Sequence, residues 1–365
     1  MRKFIKMSLV GLNILCVLFL FLAHCSRIIS PRDNECLQFI GLAFPGIIAV
    51  ICLFFIFWII KGSKWKYLSL ISMIIGLGMI IDYFGNPFSW TGDKGTYSAM
   101  TYNVRLFGFY QWDDNIQIRD SMMVQLANAD ADVYCFQEFY FQDRPGGFET
   151  FPHVLKATNT TFKHEKYTHE FKHDQYFGVV TLSRHPIVNR GFIAFEEDFN
   201  NYCIYSDIVF PESDTVRVFN THLASIHFRK DEYGLLEGKD QEMNQALGSV
   251  GEILSKLKNG FDRRSLQIER IMNVVSESPY PVILAGDFND TPISYTYGIV
   301  REGLDDAYVD CRFGMGNTYN GPVPYLRIDH IFHDNQIEVE TYDSPKVPWS
   351  DHFPVICSFE INKDK

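Results

Sequence analysis

The stretch Val282-Ile283-Leu284-Ala285-Gly286-Asp287-Phe288-Asn289 decides how this chain is read. A short apolar run leads into a glycine, an acid and an amide. Asp287 and Asn289 are two residues apart, so at an extended strand end both face the same way. By itself Gly-Asp-x-Asn is most often a turn, and Asp290-Thr291-Pro292 makes a turn immediately after it. Two later runs have the same form: Arg327-Ile328-Asp329-His330, and Ser350-Asp351-His352, which Pro354-Val355-Ile356 follows.

Three upstream runs match them. Ala99-Met100-Thr101-Tyr102-Asn103-Val104-Arg105 is strand-like and delivers an amide. Asp132-Val133-Tyr134-Cys135-Phe136-Gln137-Glu138 is an apolar strand ending in Gln-Glu, and Val216-Arg217-Val218-Phe219-Asn220-Thr221-His222-Leu223 alternates and then delivers Asn and His. Carboxylates and imidazoles gathered at strand ends suit metal-assisted attack on a phosphate ester. The carboxylates hold a hard divalent cation and an imidazole moves a proton. With these six runs in this order, the chain resembles the endonuclease/exonuclease/phosphatase superfamily, which includes pancreatic-type deoxyribonucleases, abasic-site nucleases, neutral sphingomyelinases and inositol polyphosphate phosphatases. The resemblance covers roughly Tyr97 to Ile361.

The resemblance implies an α/β fold, a four-layer sandwich of two mixed β-sheets flanked by helices, with the site at one edge. It implies Mg²⁺, or alternatively Mn²⁺, with Glu138 as principal metal ligand and Asn103 and Asp351 on the metal side. Asp287 would orient or deprotonate the attacking water, and Asn289 would hold a phosphate oxygen or that water. His352 would transfer the proton, with Asp329 fixing its tautomer and raising its pKa. Whether the base is His352 or Asp287 stays open. His222 matches the second His of the deoxyribonuclease and sphingomyelinase branches, which tilts the chain away from the abasic-site nucleases. Arg105, Arg184 and Arg327 lie beside motif residues and are candidate phosphate binders. His330, next to Asp329, points to the other face of its strand and reads as core or surface.

The 47% hydrophobic average hides two parts. Residues up to about 90 hold three apolar stretches, Met7–Ala23, Leu37–Ile60 and Tyr67–Ile81. A spanning helix needs about 20 mostly apolar residues, so we expect about three transmembrane helices within residues 1–85, a linker over 86–95 and the catalytic domain over 96–365. The first stretch also reads as a cleavable signal, since Leu22-Ala23-His24-Cys25 is similar to a lipoprotein cleavage box with His24 out of pattern. Basic residues cluster at Arg2–Lys6 and at Lys61, Lys64 and Lys66. Such clusters mark cytoplasmic segments, so the expectation is a multi-pass inner-membrane protein with its catalytic domain periplasmic or extracellular. Cys25 and Cys36 flank the predicted outer loop, and the sequence leaves their pairing open. Cys135 and Cys357 sit in apolar strands and read as inert core residues.

Of 33 basic and 44 acidic residues, 8 and 3 precede residue 91, leaving 25 and 41 and a formal charge of −16 on the rest. A protein binds a long polyanion by displacing counterions with Lys and Arg. The expected partner is therefore a small phosphoester or a lipid head group at the membrane rather than nucleic acid. A nuclease is the alternative within enzymes, and a non-catalytic membrane binding module is the alternative outside them.

Helical patterns cover Ile116–Asn128, Glu242–Leu257 and Ser265–Val275. Phe141–Asp174 reads as a long loop facing the site. Its His164, His169 and His173 read as solvated rather than as a metal cluster. Ile226–Phe261 is charged and reads as a surface helix, with a lid over the site as the other reading.

Overall fold

The computed structural model describes residues 2–362 apart from 90, 110–114, 145, 172–173, 197, 199–200, 212–214, 227–242, 322 and 324. Twelve described strands form two six-stranded mixed sheets. In the first, β1 (Tyr97–Asn103) and β2 (Val133–Gln142) run parallel, and β3 (Phe162–Phe171) and β4 (Gln175–Ser183) extend the sheet beyond β2. In the second, β5 (Ile187–Ala194), β6 (Tyr202–Val209) and β7 (Thr215–His222) form a meander, and β8 (Val282–Asp287) runs parallel to β7. The short β9 (Asp305–Asp306) and β10 (Asp329–His333) complete the second sheet; β11 (Ile337–Asp343) and β12 (Val355–Ile361) complete the first, with β12 antiparallel to β1.

The inward faces of both sheets share one core. Ala99, Val133, Cys135, Val355 and Cys357 pack there against Val216, Val218, Ile283, Ala285 and Ile331. Strand residues buried on both faces read as continuous apolar runs, which is why the Val282 and Val133 runs are legible. Burial pushes the thiols of Cys135 and Cys357 up to about 12, in keeping with inert core cysteines.

The N-terminal region consists of helices α1 (Arg2–Cys25), α2 (Cys36–Leu42), α3 (Phe44–Ile60), α4 (Lys66–Ile75) and α5 (Leu77–Phe84). α1 is long and apolar enough to cross a membrane, as are α2–α3 and α4–α5 if each bent pair is one span. The pairs bend by 60° and 65° at their breaks. Pro45, in the first turn of α3, and Gly76, between α4 and α5, lie at these breaks, as expected for residues that interrupt or loosen the helical ladder. Cys25 and Cys36 are free thiols.

Outer layers come from helices α6 (Asn115–Ala129) and α7 (Thr150–Thr158) on the first sheet, and α8 (Met243–Ser276) and α9 (Tyr295–Arg301) on the second; a short α10 (Ala307–Cys311) follows β9. Of the two predicted segments Glu242–Leu257 and Ser265–Val275, the described residues from Met243 on are parts of the single helix α8, because Asn259, Gly260 and Phe261 continue the turn instead of ending it. Of the segment read as a surface helix or a lid, 227–242 lie outside the described residues and 243–261 belong to helix α8.

Phe141–Asp174 is not a loop. It holds the end of β2, helix α7 and strand β3. Its aromatics are spaced for packing: Phe141 lies against Phe151 and Tyr176, and His164 is buried with its Nδ1 3.0 Å from Ser206 Oγ. Polar composition masked an edge hairpin.

Candidate active site

The strand topology gathers the motifs. β1 and β2 are parallel, and so are β7 and β8, so the C-terminal ends of all four lie at one edge. β10 and β12 run antiparallel to their neighbours and begin at that same edge. Register places Asp287 opposite both His222 and Asp329. Asn103, Glu138, His222, Asp287, Asp329 and His352, distant from one another in the chain, thereby meet at one edge.

Gly286 permits the approach of β8 to β7. A Cβ at this position would lie 2.0 Å from the Thr221 carbonyl oxygen, and its φ is +153°. No side chain fits there. Asp287 then enters the site fully buried. Its Oδ2 accepts from Asn103 Nδ2 at 2.9 Å, a bond that crosses from one sheet to the other. Its Oδ1 accepts from the Asn289 backbone N–H at 2.9 Å. The Asn289 side chain donates to the Leu223 carbonyl at 3.1 Å, and its φ is +52°.

Glu138 sits on a β-bulge, where the pairing of β2 with β4 shifts between Phe136 and Phe139. Its φ is +51°. Bulges re-aim a side chain next to active sites, and a left-handed non-glycine residue costs about 1–2 kcal/mol. Glu138 is thus turned toward Asn103, whose Nδ2 donates to Glu138 Oε1 at 3.3 Å. No Lys or Arg pairs with Glu138 among the described residues.

Two histidines flank Asp287. His352 Nε2 and His222 Nε2 each lie 3.6 Å from Asp287 Oδ2. The other nitrogen of His352, Nδ1, faces Asp329 Oδ2 at 2.9 Å and Oδ1 at 3.1 Å. Burial works against a charge on His352, but Asp329 and Asp287 outweigh it and hold its pKa well above the ordinary imidazole range. Burial also raises Asp329, with His352 opposing. Both directions describe one proton held between the two groups, with the imidazole as its holder. His222 Nε2 is buried and has no hydrogen-bond partner among the described residues.

Arg105 opens a turn in which Arg105, Leu106, Phe107 and Gly108 all have positive φ. Its N–H donates to Asn103 Oδ1 at 3.1 Å, and its half-exposed guanidinium lies 3.4 Å from Asp351. Asp351 is therefore at the site rim beside Arg105. Ser350 Oγ donates to the Asn103 carbonyl at 2.8 Å and ties the Ser-Asp-His segment to β1.

The other two arginines are elsewhere. Arg184 donates to Asp130 and to the Thr158 carbonyl, by the start of β2 and away from the bulge that carries Glu138. Arg327 is 3% exposed and its Nη1 lies 2.6 Å from Asp306 Oδ2. Neither guanidinium faces the site, because each is consumed by a structural partner. His330 is core, donating from Nε2 to the Asp290 carbonyl at 3.2 Å and accepting from Arg327 at Nδ1.

Sequence reading assigned no role to three further groups. Gln137 and Asn220 form a buried amide pair across the sheets, with Gln137 Nε2 2.7 Å from Asn220 Oδ1. Asn220 also donates to the Phe136 and Val180 carbonyls. Their signal was available as polar residues inside apolar strands. Thr318 accepts from the backbone N–H groups of Ile328 and Asp329. It comes from a loop without periodicity and carried no signal.

Residues 100–352 match the model of the Endonuclease/Exonuclease/phosphatase family. The chain belongs to this family. It has the family's two-sheet sandwich. Residues 2–83 match a second model, that of a domain of unknown function, DUF8431. Similar solved structures include a mannosyl-6-phosphatase of Bacteroides thetaiotaomicron, at 18% identity and a TM-score of 0.53, covering 73% of this chain and all of that one. A family protein of Bacteroides vulgatus is similar at 16% identity and a TM-score of 0.54, over 73% and 99% of the two chains. The human Nocturnin catalytic domain, solved with a bound sulfate, is similar at 17% identity and a TM-score of 0.51, over 74% and 96%. The UPF0294 proteins of two Vibrio vulnificus strains are 30% identical over 107 residues, 29% of this chain, and the chain spans only 37% of their length.

Family enzymes typically depend on a divalent metal, and Asp287, Asp329 and His352 form a buried group whose ligand atoms all lie within 4.8 Å of one another. A hard cation such as Mg²⁺ prefers oxygen donors and keeps several waters. The buried group offers an imidazole already committed to Asp329. Glu138 offers a carboxylate without a cationic partner at the open rim, and so fits the ion better. The Asn103 amide spends its Nδ2 on Glu138 and Asp287, which makes it a brace between the two carboxylates.

Proposed function

We propose that this protein is a membrane-anchored, Mg²⁺-dependent phosphodiesterase that favours small or lipid-borne phosphoesters. The observation that carries the reading is the placement of Asp287 between two imidazole Nε2 atoms, with one imidazole backed by Asp329. Glu138, with Asp351 at the same rim, would hold the cation, which would offset charge on the phosphoryl oxygens. Asp287 is placed to orient or deprotonate the attacking water. Its two oxygens are fixed by Asn103 and Asn289, so the carboxylate is preorganised. The His352–Asp329 pair holds a proton next to the reacting group. His222, buried and unbonded at Nε2 among the described residues, faces the same space and is placed to bind a phosphoryl oxygen or to protonate the leaving group. Arg105 is the one arginine of the three at the rim, where it can leave Asp351 for a phosphate.

Membrane anchorage is supported by the apolar length of α1 and of the two bent pairs, and by side chains such as Phe4, Leu18, Phe21, Leu53 and Ile75 that are exposed without covering. The Lys and Arg distribution favours an outward-facing catalytic domain. The net charge of the part after residue 90 favours small or lipid-borne substrates over duplex DNA.

The test is a rate comparison on the purified full chain in detergent or vesicles, with and without a chelator. Substrates are bis-p-nitrophenyl phosphate, sugar phosphates, sphingomyelin vesicles and duplex DNA. Chelator-sensitive turnover of the small or lipid substrates is expected. Efficient DNA cleavage that falls steeply with salt, with no turnover of the others, would establish the nuclease reading instead.

A further inference from the structure

We infer that the N-terminal helical region is a structural part of the catalytic centre, with Asp82 and Ile293 as positioning residues that tie it to the two segments carrying Asp329 and Asn289. The inference rests on the hydrolase reading of that edge, but not on the presence of a membrane.

The first tie runs through Asp82, near the end of α5. Its buried carboxylate lies 2.8 Å from Arg27 Nη1 and 3.4 Å from Arg301 Nε. Its backbone carbonyl accepts from Arg327 Nη2 at 2.6 Å. The same guanidinium pairs with Asp306, which is fully buried, and donates to His330 Nδ1 at 3.0 Å. Arg327 precedes Asp329 by two residues, and His330 follows it. The orientation of Asp329 toward His352 is therefore framed on both sides by groups bonded, directly or through Arg327, to α5.

The second tie is Ile293, four residues after Asn289. Its side chain is buried in the helical region's own apolar cluster, with Leu20, Ala23 and Phe44. Its carbonyl accepts from Ser26 Oγ at 2.9 Å. Gln38 bridges the same junction, donating to the Ser26 carbonyl at 2.8 Å and accepting from the Tyr295 N–H at 3.2 Å. At Gly298 an added Cβ would lie 2.3 Å from the Arg27 carbonyl oxygen, so the two backbones are in direct contact. Ion pairs of Arg32 with Glu269 and of Lys258 with Glu35 lie around this core.

A flexible tether would need none of this. The buried Asp82–Arg301 pair crosses the junction, and separation would strip each charge of this partner, so the junction resists separation. Both site segments are short, and sub-ångström displacement of oriented groups lowers turnover more than binding.

The experiment places a protease site between Asp93 and Lys94 of the full-length protein, in an exposed segment. Turnover of bis-p-nitrophenyl phosphate is measured before and after cleavage, and association of the halves is read by size-exclusion chromatography. In the wild-type background the cleaved halves should comigrate and keep kcat within about twofold. In an Asp82→Asn, Ile293→Asp background they should separate after cleavage. The freed catalytic half should then show a far-UV spectrum retaining its folded content, with kcat at least tenfold lower and KM changed less than threefold. Halves that stay together in the variant overturn the assigned junction. A separated, folded half with wild-type kcat overturns the positioning role. An uncleaved wild-type chain with no turnover of any phosphoester refutes the hydrolase reading instead, and the chromatography still tests the junction.

Discussion

His222 presents its Nε2 to Asp287 at 3.6 Å from Oδ2, buried and without a hydrogen-bond partner among the described residues. A buried imidazole nitrogen left unbonded costs free energy, and it is placed to bond a group that arrives with substrate. His222→Gln should therefore lower kcat by about 10²-fold, the scale of one general acid–base group, with a smaller change in KM. Steady-state kinetics on bis-p-nitrophenyl phosphate check this. An unchanged kcat would remove His222 from the reaction.

Asp329 and His352 share one proton, so they should act as a unit. Asp329→Ala and His352→Ala are each expected to be severe, and the double variant should be little worse than either single one. Additive losses in log rate would show that the 2.9 Å contact has no role in turnover.

Glu138→Gln keeps shape and removes charge. It should raise the Mg²⁺ concentration needed for half-maximal rate by at least tenfold and lower the rate at saturation. Direct Mg²⁺ titration by calorimetry gives a readout independent of turnover. Unaltered Mg²⁺ binding in Glu138→Gln would place the ion elsewhere, with Asp287, Asp329 and His352 as the next candidates.

Two buried histidines should each cost stability in mild acid. Burial, then Arg327, holds His330 down to about 3; burial, then Arg190, holds His164 down to about 4. An unfolded His titrates near ~6.5. Below that value the unfolded chain takes up protons that the folded chain refuses. The stability present above pH ~6.5 is thus lost as pH falls toward 4, by up to ~1.4 kcal/mol per pH unit for each histidine. His352 and Asp329, both raised, work in the opposite sense over the same range, so the check is a difference: from pH 7 to 5 the Tm of the wild-type protein should change less favourably than that of His164→Gln. An equal change in that variant would contradict the assignment for His164.

Orientation in the membrane is checked by C-terminal fusions. An active alkaline phosphatase fusion and a dark green fluorescent protein fusion are expected from the Lys and Arg clusters at Arg2–Lys6 and Lys61–Lys66. The opposite pair of results would invert the proposed topology.

Much of the site was legible in the chain's local pattern. His222, Asp287 and Asp329 each end or begin an apolar strand run, where a polar side chain is released; Glu138, read as a strand end, instead leaves the middle of β2 at a bulge, and β2 runs on to Gln142. Asn103 was legible as a strand end too, but its place as a brace between two carboxylates was not, since that depends on Asp287 arriving from the other sheet at 2.9 Å. Adjacency in sequence misled for Arg184 and Arg327. Each stands next to a motif, yet a long guanidinium takes whichever carboxylate is nearest in space, and those are Asp130 and Asp306. Phe141–Asp174 misled because edge strands and surface helices carry the polar residues that elsewhere mark loops.

What the sequence determined by itself was local. Apolar runs of strand length, their polar ends and the long apolar helices at the N-terminus follow from nearest-neighbour chemistry and from period. What only the tertiary structure decided was which of those ends face one another. Parallel pairing of β1 with β2 and of β7 with β8, with β10 and β12 antiparallel beside them, brings six distant site residues to one edge, and a buried Asp82 joins the helical region to that edge through Arg327. Such pairings are non-local. They are selected by the burial of whole faces and the saturation of buried charges, quantities that no short window of sequence contains.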